Sequence, residues 1–326
     1  MTEGTSPTEG ELADLARGVA AAYRLGTDAR IDGPAERGQL GQVWPLTTST
    51  GRYAVKVPFT PPQPEDVAED AAYQDTLLAA GVSLPAVVRT PEGQVLAAVG
   101  DTVVRVYEWV DIAPRDRWLD PAAVGRAVAA IHAVDVPCDG PVDAWFTEPV
   151  GGAAWHRLAE RATSAGAPFA ADLERLVPEF TALEELLRPP VRARRCHRDL
   201  WADNLRGTPS GGLVVLDWEN AGPADPAQEL PMLMLEFGVG DPGRMRELYA
   251  AYLTSGGTSR ITGAADCTML IATLGHIVEE GVRRWLRATT AEDREHNAAW
   301  VAEGVGDPVT REVVAMITTV AAEVNA

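Results

Sequence analysis

In Cys196-His197-Arg198-Asp199-Leu200-Trp201-Ala202-Asp203-Asn204 a carboxylate is followed closely by an amide. The apolar run Leu213-Val214-Val215-Leu216 then ends in Asp217-Trp218-Glu219. Two carboxylates and an amide in this order suit phosphoryl transfer. One carboxylate takes or orients the hydroxyl proton of an acceptor, while the amide and the other carboxylate hold magnesium on nucleotide phosphates. Asp199 is therefore the expected catalytic carboxylate, and Asn204 and Asp217 are the expected metal ligands. A cation for the phosphates has a candidate as well. Among 326 residues there is a single lysine, Lys56, and every other permanently charged cation is an arginine. A compact ammonium on a flexible stem acts on phosphate as a point charge, which a planar guanidinium does not simply replace.

His197-Arg198-Asp199 followed by Asn204 has the spacing H-R-D-x-x-x-x-N of the kinase catalytic loop. Leu216-Asp217-Trp218-Glu219 stands where protein kinases carry D-F-G, and Arg52-Tyr53-Ala54-Val55-Lys56-Val57 matches their V-A-I-K strand. On these motifs the chain resembles the aminoglycoside phosphotransferase and choline kinase-like family of small-molecule kinases. The resemblance implies a bilobal α+β protein kinase-like fold. Residues 1–106 would form a β-rich nucleotide-binding lobe, 107–111 a hinge, and 112–326 a mostly helical lobe with the catalytic loop and acceptor site. It also implies that Lys56 meets the α- and β-phosphates and pairs with a glutamate of the next helix, Glu69 first and Glu65 second. The hinge backbone would meet the adenine edge through the Tyr107 carbonyl and the Trp109 amide, and His197 would brace the catalytic loop. ATP or GTP is the implied donor and Mg2+ the implied cofactor. The implied acceptor is a hydroxyl of a small molecule such as an aminoglycoside-like antibiotic, an amino sugar or a related metabolite.

One departure qualifies the resemblance, and one feature sets the chain apart from protein kinases. Arg198 occupies a position where the antibiotic kinases usually have glycine. After Asp217 the chain passes almost at once into a helix-like run, Gln228 to Phe237, without the long activation segment and A-P-E of protein kinases. Within the intervening D-P-A-x-E-L pattern, Asp225 and Glu229 are expected to cap and tie that helix.

The elements that must position these residues can be read from periodicity and punctuation. Gly38-Gln39-Leu40-Gly41-Gln42-Val43 reads as a turn between two strands that could lie over phosphates. It lacks both the G-K-[ST] of a Walker loop and the full G-x-G-x-x-G. A helix is expected over Glu65 to Ala80, then short strands near Ala86–Val88, Gln94–Val99 and Thr102–Val110. Asp120 would cap a helix over Pro121 to Ala133, in which His132 reads as a hydrogen-bonded core residue. Gly140 to Gly152, carrying Trp145, reads as an irregular loop, with helices over Trp155–Thr163 and Ala170–Leu187 after it. Further helices are expected over Gly243–Leu253, Ala264–Arg287, Glu292–Glu303 and Thr310–Val324. On the longest, Leu270, Leu274, Ile277, Val278, Gly281 and Trp285 form an apolar stripe with His276, Glu279 and Glu280 beside it. Glu279 and Glu280 read either as i,i+4 partners of Arg283 and Arg284 or as a pocket wall. With Trp145, His276 and Glu219 they make up the candidate substrate residues.

Composition narrows the partners. A net charge of −19 disfavours nucleic acid and anionic membrane, which are bound through Lys and Arg, and is compatible with a cationic small-molecule acceptor. No apolar run is long enough to span a bilayer, and Met1 to Gly10 is polar and acidic, unlike a signal peptide, so a cytoplasmic location is expected. Three scattered cysteines fit neither a disulfide framework nor a zinc site. The competing class is a nucleotide-binding regulatory module of the same fold with weak catalysis. The joint presence of Lys56, Asp199, Asn204 and Asp217 counts against it.

Overall fold

A computed structural model describes residues 8–31, 33, 36–37, 41–138 and 140–326. The chain forms two compact units, Met1–Arg115 with Asp203–Asn220, and Asp116–Ala202 with Ala221–Ala326. The expected turn residues Gly38-Gln39-Leu40 lie outside the described residues.

The first unit opens with helix α1 (Glu9–Tyr23), started by a capping box between Thr8 and Glu11. It buries Leu15, Ala16, Val19, Ala20 and Tyr23, spaced to fall on one helical face. The sheet comprises β1 (Arg30–Ile31), β2 (Glu36–Arg37), β3 (Gly41–Thr48), β4 (Gly51–Pro58), β5 (Val87–Val88), β6 (Leu96–Val99) and β7 (Thr102–Glu108), with helix α2 (Pro64–Ala79) between β4 and β5. Its order is β1-β3-β4-β7-β5, with β2 on β3 and β6 on β7, and the ladders are antiparallel. Alternation along the strands decides what each face carries. Val55, Val57, Val104 and Val106 pack into one core with α1, which turns Lys56 and Arg105 to the opposite face. Gly41 opens β3 tightly against β4, because a Cβ there would meet the Val57 carbonyl oxygen at 2.5 Å. The segment 203–220 adds a two-stranded ladder of Leu205–Gly207 and Leu213–Val215. It is fastened by the Val215 amide donating to Ser83 O at 2.9 Å and by Trp218, edge-on to Tyr73 of α2.

The second unit is helical: α3 (Pro121–Ala133), α4 (Gly152–Ser164), α5 (Ala170–Glu184), α6 (Pro226–Gly238), α7 (Pro242–Thr254), α8 (Thr268–Arg287), α9 (Ala291–Gly306) and α10 (Arg311–Asn325). A short antiparallel ladder joins Arg194–Cys196 to Gly222–Ala224. Trp155, Leu173, Phe180, Val278, Val282 and Trp285 belong to one buried cluster. Leu274 and Ile277, expected in the buried stripe of α8, are only half-buried, because they border a cavity of about 50 Å³ beside Trp155 and Phe180. Among the described residues no helix is long and apolar enough to cross a membrane.

Candidate active site

In the first unit, Lys56, Tyr107, Trp109, Asn204, Leu216 and Asp217 border one cavity of about 190 Å³. Lys56 reaches it from the middle of β4, and Tyr107 and Trp109 from the end of β7. Asn204 stands just before the strand Leu205–Gly207, and its carbonyl accepts the Leu216 amide at 2.8 Å, which ties the two candidate metal ligands together through the backbone. Asp217 has φ +55°, a left-handed conformation that aspartate tolerates better than most residues. Lys56 Nζ lies 2.9 Å from Asp217 Oδ1 and 2.9 Å from Glu219 Oε2. Burial works to neutralise this ammonium, but the two carboxylates outweigh it and hold its pKa above the ordinary lysine value. Arg105 Nη1 lies 2.9 Å from Glu219 Oε1, so one carboxylate spans two cations.

The segment before Asn204 belongs to the second unit. Asp199 is half-buried and its amide donates to His197 Nδ1 at 3.3 Å. Arg198 has φ +67°. Its amide donates to Glu229 Oε1 at 2.5 Å, and its guanidinium lies 4.6 Å from the centre of the Phe146 ring. Glu229, fully buried on α6, also meets His132 Nε2 at 2.7 Å, and His132 Nδ1 meets the Tyr252 hydroxyl at 3.1 Å. His132 is thus a hydrogen-bonded core residue, as its sequence context indicates. Asp225 caps α6 through the Ala227 amide at 3.0 Å and binds the amides of Val191 and Arg192 at 2.9 and 3.0 Å. Cys196, beside His132 and Glu229, is a thiol whose pKa burial pushes well up.

Several expectations need correction. Glu69 and Glu65 are exposed on α2, whereas Val67, Asp70, Ala71 and Gln74 are buried. The helix phase that turns Val67 and Ala71 inward selects Asp70, and Asp70 lies 3.6 Å from Arg105. The Trp109 amide donates to Arg52 O at 3.2 Å, so the ladder has already engaged the adenine-edge donor assigned to it. The next residue, Val110, also borders the cavity. Glu219, expected to read an acceptor ammonium, is instead matched by Lys56 and Arg105. Glu279 accepts from Arg283 at 2.9 and 2.6 Å, and Glu280 from Arg284 at 2.9 Å, the i,i+4 pairing that their spacing allows. His276 lies 3.0 Å from Glu279 and 3.1 Å from the Glu148 carbonyl, and Trp145 stacks on it with centroids 5.1 Å apart. Trp145, His276 and Glu279 are therefore brought together, with Glu280 alongside on α8. Sequence reasoning missed Arg105 and Asp70, although an arginine inside the apolar run Val103-Val104-Arg105-Val106 was a visible signal.

The sheet-bearing unit with its lysine, amide and carboxylate around one cavity, and the helical unit carrying His197 and Asp199, define a small-molecule kinase of the protein kinase-like fold. The chain belongs to the phosphotransferase enzyme family, whose sequence model matches residues 33–263. No curated protein sequence gives a significant match. Among solved structures it is similar to an aminoglycoside phosphotransferase from Alicyclobacillus acidocaldarius, with 19% identity, a TM-score of 0.62, and 94% of this chain and 96% of that one covered. It is also similar to a spectinomycin phosphotransferase in complex with ADP and spectinomycin, at 14% identity, TM-score 0.65, and 98% and 99% coverage. A microcompartment-associated aminopropanol kinase is similar at 17% identity, TM-score 0.57, and 91% and 95% coverage. At these identities the likeness is one of fold.

Proposed function

We propose that this protein transfers the γ-phosphoryl group of ATP, with magnesium, to a hydroxyl of a small molecule. The observation that carries the reading is the single cavity bordered by Lys56, Asn204 and Asp217 together with the end of β7. The donor set fits the implied groups. An amide oxygen and a carboxylate are hard ligands suited to magnesium that keeps waters and phosphate oxygens, and the apolar walls Val43, Ala54 and Leu216 suit a nucleobase.

Each residue then has a distinct task. Lys56 orients and neutralises the nucleotide phosphates, and Asn204 and Asp217 hold magnesium, which supplies positive charge against the phosphoryl oxygens. The Val110 amide and the neighbouring backbone meet the base edge. Asp199, on the segment that runs into Asn204, orients the acceptor hydroxyl and receives its proton. Tyr107 lines the cavity, and burial raises the pKa of its hydroxyl, so it stays neutral.

On the acceptor side, Trp145 and His276 offer an aromatic surface. Glu279 and Glu280 are matched by Arg283 and Arg284, so the reading rests on the acceptor's hydroxyl and not on a cationic group. Amino sugars, antibiotic-like compounds and small amino alcohols form the panel to test, with ATP and GTP as donors. The enzyme should add one phosphate to a member of the panel and release the nucleoside diphosphate, and Asp199→Asn should abolish this while still binding nucleotide. A wild-type protein that binds neither Mg·ATP nor Mg·GTP would overturn the proposal.

A further inference from the structure

Lys56 and Arg105 are register partners on the adjacent strands β4 and β7, on the face away from the α1 core. Like charges directly opposite one another repel, and both side chains are nearly sealed, at 11% and 3% exposure. The pair is stable only with an anion between them, and Glu219 is that anion. Its Oε1 meets Arg105 and its Oε2 meets Lys56, each at 2.9 Å. Both oxygens are thereby engaged, which leaves this carboxylate poorly placed to ligate a metal. Asp217 differs, being 40% exposed and meeting Lys56 through Oδ1. Arg105 also reaches α2, at 3.6 Å from Asp70 and 3.5 Å from the Val67 carbonyl.

Resting on the nucleotide-site reading, we propose that Glu219 and Arg105 are positioning residues that hold Lys56 at the phosphates. Asp217 is the partner free to turn toward a metal ion, and Glu219 is the partner that stays. Without Glu219, the departure of Asp217 would leave a four-carbon stem with no anchor, and its rotamer freedom would have to be lost again at each binding event. Arg105 fixes Glu219 and, through Asp70 and Val67, fastens α2 to the same cluster. The task expected of a glutamate on α2 is thus carried by an acid two residues beyond the metal carboxylate, and α2 is joined through Arg105.

The single lysine makes a direct test possible, because 15N-lysine labelling gives one side-chain ammonium signal. In the wild type that signal should be sharp and protected from exchange, and should remain so when Mg·AMP-PNP is added. In the isosteric Glu219→Gln it should broaden or vanish, and calorimetry should show the dissociation constant for Mg·AMP-PNP rising about tenfold, the loss of one charge-assisted contact. Arg105→Met should do the same, while Arg105→Lys, which keeps the charge, should recover most of the affinity. Wild-type ammonium signal and wild-type affinity in folded Glu219→Gln would overturn the inference and leave the nucleotide reading standing. A wild type that does not bind Mg·AMP-PNP would remove both.

Discussion

Replacing Lys56 by alanine separates chemistry from stability in a way the geometry makes quantitative. The ammonium lies 2.9 Å from both Asp217 and Glu219. Its loss strands neither acid, because Glu219 keeps Arg105 at 2.9 Å and Asp217 is 40% exposed to water. The cost to folding is then that of contacts whose partners stay solvated or paired, together with some methylene packing, about 1–2 kcal/mol, or a drop of about 1.5–3 °C in melting midpoint for a chain of 326 residues. The cost to catalysis is larger. Removing a preoriented charge from the transferring phosphoryl group is worth about 3–4 kcal/mol, a fall of about 10²–10³ in kcat. Lys56→Arg should also be impaired, since a longer planar cation cannot occupy the same point between the two carboxylates. The assay is ADP release at saturating ATP with the acceptor found in the panel, alongside a thermal melt followed by circular dichroism. Turnover by folded Lys56→Ala within about threefold of wild type would refute the reasoning. So would a loss of turnover fully accounted for by unfolding.

Three further outcomes are expected in the helical unit. Burial disfavours the Glu229 carboxylate, but the hydrogen bond and charge of His132, with His197 and the Arg198 amide, outweigh it and hold its pKa below the ordinary 4.5. Its stabilisation is therefore present above the unfolded-state pKa and lost as pH falls through the lower folded value. Glu229→Gln should cost about 2 kcal/mol at neutral pH and flatten the acid limb of a plot of melting midpoint against pH; an unchanged acid limb would contradict this. A Cβ on Gly125 of α3 would collide with the Leu248 carbonyl oxygen and lie 2.9 Å from the Tyr252 amide, both on α7. Gly125→Ala should force the helices apart at a cost of about 3 kcal/mol, measurable by urea unfolding, and a wild-type midpoint would count against so close a crossing. Trp145→Ala, which removes the aromatic surface stacked on His276, should raise the acceptor KM several-fold, by about 1 kcal/mol or more, and leave that for ATP unchanged. Equal change in both constants would place Trp145 outside the acceptor site.

Much of this arrangement is legible in the sequence. The catalytic segment and the lysine strand were marked by residue types that have few alternative uses at such spacing, and the helices from α3 onward announced themselves through periodicity and caps such as Asp120. What escaped was whatever depends on the phase or occupancy of a tertiary contact. Glu69 and Asp70 are adjacent in sequence and about 100° apart on the helix, so only the packing of Val67 and Ala71 decides which one turns inward. The Trp109 amide looked available because nothing in the sequence says that the ladder between β4 and β7 extends to Arg52. Glu219 was read from its nearness to Asp217, which shows that it approaches the site but not which cations meet it there. Helix α1 is not marked as plainly, because two of the five residues on its buried face, Ala16 and Ala20, are alanines, a weak apolar signal until the sheet it covers is known.

The division of labour among the four chemical positions is the centre of this account, and calorimetric titration with Mg·AMP-PNP addresses it most directly. Wild type and Asp199→Asn should bind the nucleotide with similar affinity, because the proposed role of Asp199 is toward the acceptor hydroxyl. Asp217→Asn and Asn204→Ala should bind it about tenfold or more weakly, and the deficit should shrink when magnesium is omitted from all samples, since both residues are proposed to act through the ion. Equal weakening in all three variants, or undiminished binding in Asp217→Asn, would contradict the assignment of metal and acceptor roles.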